Sequence, residues 1–90
     1  MNVNEVLVKT AEGTVVRQLE ELAEGADFNG KTPSIKKGTQ VVYKNGPLGV
    51  YYVGKVYVDK YDPEDPFYYE MIMLSGGHAP TTKEKALQPV

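Results

Sequence analysis

"NGPLGVYYVGKVYVDKY", residues 45–61, carries four tyrosines and four valines, a density that bears directly on the class of fold. β-Branched and aromatic residues suit a pleated, half-buried surface, so a strand is expected, opening after the turn formers "NGPLG" and ending at "DPEDP". Strict alternation puts Val50, Tyr52, Gly54, Val56 and Val58 on one face. Tyr51, Val53, Lys55, Tyr57, Asp59 and Tyr61 share the other. The valine-rich set is the expected core face. A glycine inside a strand marks a sharp bend or a close approach of other atoms, the role expected of Gly54.

Further short apolar runs separated by turn signals extend this reading over residues 35–90: "TQVVYK", "FYYEMIML", "APTTK" and "EKALQPV", with "SGG" as a tight turn. Five strands are expected, the last preceded by a helical turn at Lys83–Ala86. At the other end, "VNEVLVKT" and "TVVRQL" flank "AEGT" and predict a hairpin whose three-residue loop needs a left-handed Gly13. A helix over Thr14–Glu24 is the alternative. It aligns Val15, Leu19, Leu22 and Ala23, but crowds Glu20, Glu21 and Glu24 at the helix end that favours positive charge. "EGADFNGKTPS" is a connector. The expected architecture is all-β: a hairpin and connector over residues 1–33 and a small five-stranded barrel over 34–90, one structural domain overall. The hairpin either extends the sheet or covers a barrel end.

Composition narrows the function classes. Ninety residues enclose a single core. The absence of cysteine excludes disulfides, thiolate nucleophiles and sulfur-ligated metals. Uncharged stretches such as Asn45–Gly54 fall well short of the roughly 20 apolar residues that cross a bilayer, and the first residues lack the order of a signal peptide. A soluble, cytoplasmic protein without membrane contact is expected. Net charge is −2, from 10 basic and 12 acidic residues, which lacks the strongly basic signature of a non-specific nucleic-acid binder. The lysines fall mostly after residue 33, so a local basic face is compatible with the sequence.

Catalysis is not expected, and neither is a cofactor. Ser34 and Ser75 are the only serines, His78 is the sole histidine, and no oxyanion, phosphate-loop or dinucleotide motif accompanies them. Asp62, Glu64 and Asp65 are oxygen donors at close spacing, but two prolines and the lack of a central glycine make "DPEDP" a stiff connection rather than a calcium loop. His78 has no second imidazole or thiolate with which to share a metal, and reads as a polar turn residue.

The order "KGTQVVY", "YYVGKV", "YYEMIMLSGG" and "ALQPV" resembles the SH3-like barrels of the Tudor group, over residues 35–90. The resemblance implies a glycine-led first strand at Gly38–Tyr43, a second at Tyr52–Val56, a third ending in a glycine turn at Tyr69–Gly76, and a closing Leu-x-Pro at Leu87–Pro89. Members that read methylated side chains use an aromatic cage, because ring faces attract a desolvated cation. Tyr43 and Tyr52 match two of its positions. Ile72 and Ser75 stand where the other aromatics belong, so the resemblance implies the fold rather than the ligand.

The expected function is therefore non-catalytic binding of a protein partner, as an adaptor, an assembly factor or a small inhibitor of a larger complex. Tyr51, Tyr57 and Tyr61 form the expected outward row, with Tyr43 and Tyr52 at the barrel mouth; tyrosine offers large contact area and a hydroxyl at low entropic cost. The plainer account is that these rings, with Phe67, Tyr68 and Tyr69, cover a small core. The alternative partner is nucleic acid, held through Lys36, Lys37, Lys55, Lys83 and Lys85, with Asp59, Asp62, Glu64 and Asp65 opposing a phosphate backbone.

Overall fold

The computed structural model of the chain describes residues 3–10 and 12–90. Met1, Asn2 and Ala11, the last within the expected hairpin loop, lie outside the described residues. Strands β1 (Val3–Thr10) and β2 (Gly13–Leu22) pair antiparallel, from Val3↔Glu20 to Thr10↔Gly13. Gly13 has φ +123°, which only glycine adopts readily, and the Thr10 hydroxyl donates to the Gly13 carbonyl at 2.8 Å. Direct pairing of Thr10 with Gly13 makes the loop one residue tighter than expected. Of the two readings open for residues 14–24, the chain adopts strand through Leu22.

The remaining strands are β3 (Gln40–Tyr43), β4 (Tyr51–Val58), β5 (Phe67–Met73), β6 (His78–Lys83) and β7 (Leu87–Pro89), with a 3-10 turn at Glu84–Ala86 before β7. Their order in the sheet is β2-β1-β6-β5-β4-β3-β7. The hairpin belongs to this sheet through both strands. Val8 pairs parallel with Thr81, and Glu20, Glu21 and Leu22 pair antiparallel with Val58, Tyr57 and Val56. The pairings β2-β1-β6-β5-β4 therefore return on themselves, and β3 and β7 continue outward from β4.

This closure buries the end of β4 and the start of β5 on both faces, where Tyr57 and Val58 pair with Tyr68 and Phe67. One core contains Val41, Val53, Val58, Phe67, Tyr69 and Met71, with Ile35 and Leu87 packed among them. A second, under the hairpin, contains Val8, Leu19, Tyr57 and Tyr68. Phe67, Tyr68 and Tyr69 are consecutive and all buried because alternate side chains enter different cores. Burying each such side chain contributes about 1.5–3 kcal/mol.

The two cores correct the expected sidedness of β4. Val53 pairs with Met71 and Val56 with Tyr69, so three residue steps on β4 oppose two on β5, the signature of a bulge. The extra residue resets the alternation. Before it, Val53 is buried and Tyr52 is 36% exposed, the reverse of the sequence reading; after it, Val58 is buried as expected, yet Tyr57 is buried too, at 8% exposure. Gly54 lies at the bulge, where an added Cβ would meet the Glu70 carboxylate and press on Ile72. Close approach at Gly54 is thus real, and the approaching atoms are side chains. Glu70 also accepts the Lys55 backbone N–H at 3.2 Å.

Candidate functional site

The closed sheet leaves an open cleft of about 440 Å³ where the far end of the hairpin meets the ends of β3 and β6 and the 3-10 turn. Five of the chain's ten basic residues line it: Lys9, Arg17, Lys44, Lys83 and Lys85. No carboxylate is among the described lining residues. Each cation arrives by a different route. Lys9 lies beside Val8, whose parallel pairing with Thr81 brings β1 against β6, and Arg17 follows from the Val6↔Arg17 register of the hairpin. Lys44 is held at the end of β3 because its backbone N–H donates to the Ala86 carbonyl at 3.0 Å. Lys83 pairs across the strands with Tyr68, and Lys85 sits within the 3-10 turn.

Two tyrosines supply the aromatic part of the wall. The Lys9 Nζ lies 4.4 Å from the centroid of the Tyr43 ring, and Tyr51 meets that ring edge-on at 5.2 Å. Tyr68 is buried, with Lys83 Nζ 5.6 Å from its centroid. Both rings are engaged by cations of the cleft itself, so neither presents a clear face for a stacked base. Burial raises the Tyr43 and Tyr68 hydroxyl pKa values above the ordinary phenol value, which keeps both hydroxyls protonated at neutral pH.

Three aspartates reach the cations from the rim. Asp59 lies 3.6 Å from Arg17; Asp62 Oδ2 accepts from Lys83 at 2.7 Å; and Asp65 Oδ2 lies 3.8 and 3.6 Å from Lys83 and Lys85. The Lys83 hydrogen bond holds the Asp62 carboxyl below the usual carboxylate range, and the same bond raises the Lys83 ammonium. Lys9 and Lys44 have no carboxylate partner among the described residues, so the cleft retains uncompensated positive charge.

Between Lys83 and Lys85, Glu84 serves a different task. Its Oε1 accepts from the Tyr69 hydroxyl at 2.6 Å, the Ser34 hydroxyl at 2.7 Å and the Ser34 backbone N–H at 2.8 Å. Burial opposes the charge on Glu84, but these donors outweigh it and the carboxyl sits below its ordinary value. Tyr69 is raised, by burial first and by the Glu84 carboxylate second, and its oxygen accepts the Ile35 N–H at 3.3 Å. The cluster clasps the connector to β5 and the 3-10 turn.

Of the residues singled out from the sequence, the fold gathers Tyr43, Lys83 and Lys85 in the cleft. Tyr51 is half-buried and reaches it only through Tyr43. Tyr57 is buried, which removes it from the expected outward row, while Tyr61 is 86% exposed at the acidic connection. The expected mouth also divides. Val41 pairs with Tyr51, and Tyr43 is two residues beyond Val41, so Tyr43 shares the Tyr51 face whereas Tyr52 lies opposite. There Tyr52 accepts from Gln40 at 3.2 Å. Lys36 and Lys37 are exposed in the turn before β3 and do not line the cleft. Lys55 lines a second, shallower groove with Tyr57 and His78 and pairs with Glu21 at 3.7 Å.

Lys9, Arg17, Tyr68 and Thr82 were not expected in a site: the pairing of the hairpin with β4 and β6 brings in Lys9 and Arg17, and the β5–β6 pairing sets Tyr68 and Thr82 beside them. Among the described residues, no group of three or more His, Asp or Glu is arranged to hold a metal ion, and no helix is long and apolar enough to cross a membrane. No protein-family model, curated protein or solved structure matches the chain.

Proposed function

We propose that this protein is a non-catalytic binding module whose basic cleft receives an acidic segment of a protein partner. The observation that carries the reading is the gathering of five cations in one cleft of a chain with net charge −2. Such a patch steers and orients a negatively charged partner. Carboxylates suit the cleft, since Asp59, Asp62 and Asp65 of the chain itself already engage its cations. The finer reading of the fold, an SH3-like barrel of the Tudor-like group, is supported by the order β7-β3-β4-β5-β6, in which consecutive strands are neighbours and the short strand after the 3-10 turn returns to β3. A role as adaptor, assembly factor or small inhibitor, in the cytoplasm, completes the proposal.

Nucleic acid is the second reading, favoured by the number of cations alone. The engaged rings of Tyr43 and Tyr68 and the three rim aspartates weigh against it, because base stacking and continuous backbone tracking both need what they obstruct. Fluorescence anisotropy with a labelled oligoglutamate peptide and a labelled single-stranded oligonucleotide, each titrated with the protein over a range of salt, tests the choice. The proposal expects saturable peptide binding that weakens in Lys9→Gln/Lys44→Gln, with weaker oligonucleotide binding. Preferential oligonucleotide binding with a steep salt slope would overturn it.

A further inference from the structure

Resting on the reading of the basic cleft as an acidic-segment site, we infer that the connection from Asp59 to Pro66 is a tethered competitor: its aspartates occupy part of the cationic wall, and an incoming acidic segment takes over the contacts of Asp65. The connection carries aspartates at 59, 62 and 65, each in contact with a cation that lines the cleft. It is built to hold them there. The Asp59 N–H donates to the Pro66 carbonyl at 2.9 Å and closes the base, the Asp62 N–H donates to the Asp59 carbonyl at 3.1 Å, and Lys31 Nζ ties down the Glu64 carbonyl at 2.7 Å. Pro63 and Pro66 fix backbone angles within the connection.

The three contacts are not equally complete. Asp62 makes a short, charge-assisted hydrogen bond to Lys83. Asp65 Oδ2 is buried without any hydrogen-bond partner and meets Lys83 and Lys85 only at ion-pair distance. A buried oxygen left without a donor is costly, so this contact is the first to yield. An ammonium has three donors, and a single Asp62 bond leaves Lys83 able to accept a second carboxylate. Lys9 and Lys44 hold the far side of the incoming segment. Affinity is thereby limited by the chain's own carboxylates, which favour partners dense in acidic residues over those carrying an isolated charge.

The test is anisotropy with labelled oligoglutamate at low, fixed ionic strength, comparing wild type, Asp62→Asn/Asp65→Asn and Lys9→Gln/Lys44→Gln. Neutralising the two aspartates is expected to tighten binding by about three- to tenfold, the scale of removing two partly screened charges beside a site. Asp65→Asn alone retains the Asp62–Lys83 bond and should shift affinity in the same direction by less, so the test survives if the double variant does not fold. Unchanged or weaker binding in Asp65→Asn, with wild type binding and the lysine variant impaired, overturns the competitor while leaving the cleft intact. No binding by wild type overturns both.

Discussion

Lys83, Glu84 and Lys85 are consecutive, yet they serve two regions that differ in how fully their charges are answered. Glu84 is surrounded by donors from Ser34 and Tyr69 on one oxygen and forms a finished clasp. Lys83 and Lys85 face a cleft shared with Lys9, Arg17 and Lys44, where three aspartates answer only part of the positive charge. A half-buried carboxylate with its donors in place adds to stability and has little left to offer a partner. A cluster of like charges adds little to stability and retains unspent attraction.

The largest loss of stability is expected at Glu84. Glu84→Ala removes the carboxylate acceptor of the part-buried Tyr69 hydroxyl and returns the Ser34 donors to solvent, and is expected to cost about 2 kcal/mol in urea unfolding while oligoglutamate still binds the folded protein. Tyr69→Phe removes one donor to Glu84 and the acceptor for the Ile35 N–H, with an expected loss of about 1–2 kcal/mol by the same measurement.

pH sharpens the same contrast. Glu84 and Asp62 have folded pKa values below their unfolded ones, so their contribution is present above about pH 4 and is lost as pH falls through the lowered folded values. Stability followed by circular dichroism should decline on that acid limb, and Glu84→Gln should flatten it. Tyr69 and Lys83 are raised; their contribution is full below about pH 10 and is lost as pH rises through the raised folded values. Tyr69→Phe should remove part of that alkaline decline. The smallest expected effect on stability is at the cleft. Lys9→Gln and Lys44→Gln should each change unfolding free energy by less than about 0.5 kcal/mol, and a larger loss would make the cleft a structural element.

Local signals in the sequence carried the all-β class, the turn at Gly13, the strands from Gln40 onward and the helical turn before the last strand, because each depends on neighbours in the chain. The faces of β4 were not legible in the same way. Alternation assumes one buried face, whereas the hairpin supplies a second core against Tyr57 and Tyr68, and the bulge at Gly54 exchanges the faces partway along the strand. The cleft was half legible. Tyr43, Lys83 and Lys85 stood out from residue type, while Lys9 and Arg17 join them through pairings separated by dozens of residues. The aspartates of the 59–66 connection read as opposing a phosphate backbone, and their individual cation partners emerge only from the folded chain.

The most direct test of the cleft as the binding site is a titration of the protein with unlabelled oligoglutamate followed by two-dimensional amide NMR spectra. Progressive, saturable shifts centred on Lys9, Tyr43, Lys44, Lys83 and Lys85 are expected, with Lys36, Lys37 and Tyr52 unmoved. Shifts centred on Lys36, Lys37 or Tyr52, or no shifts at low salt, would contradict the cleft as the binding site.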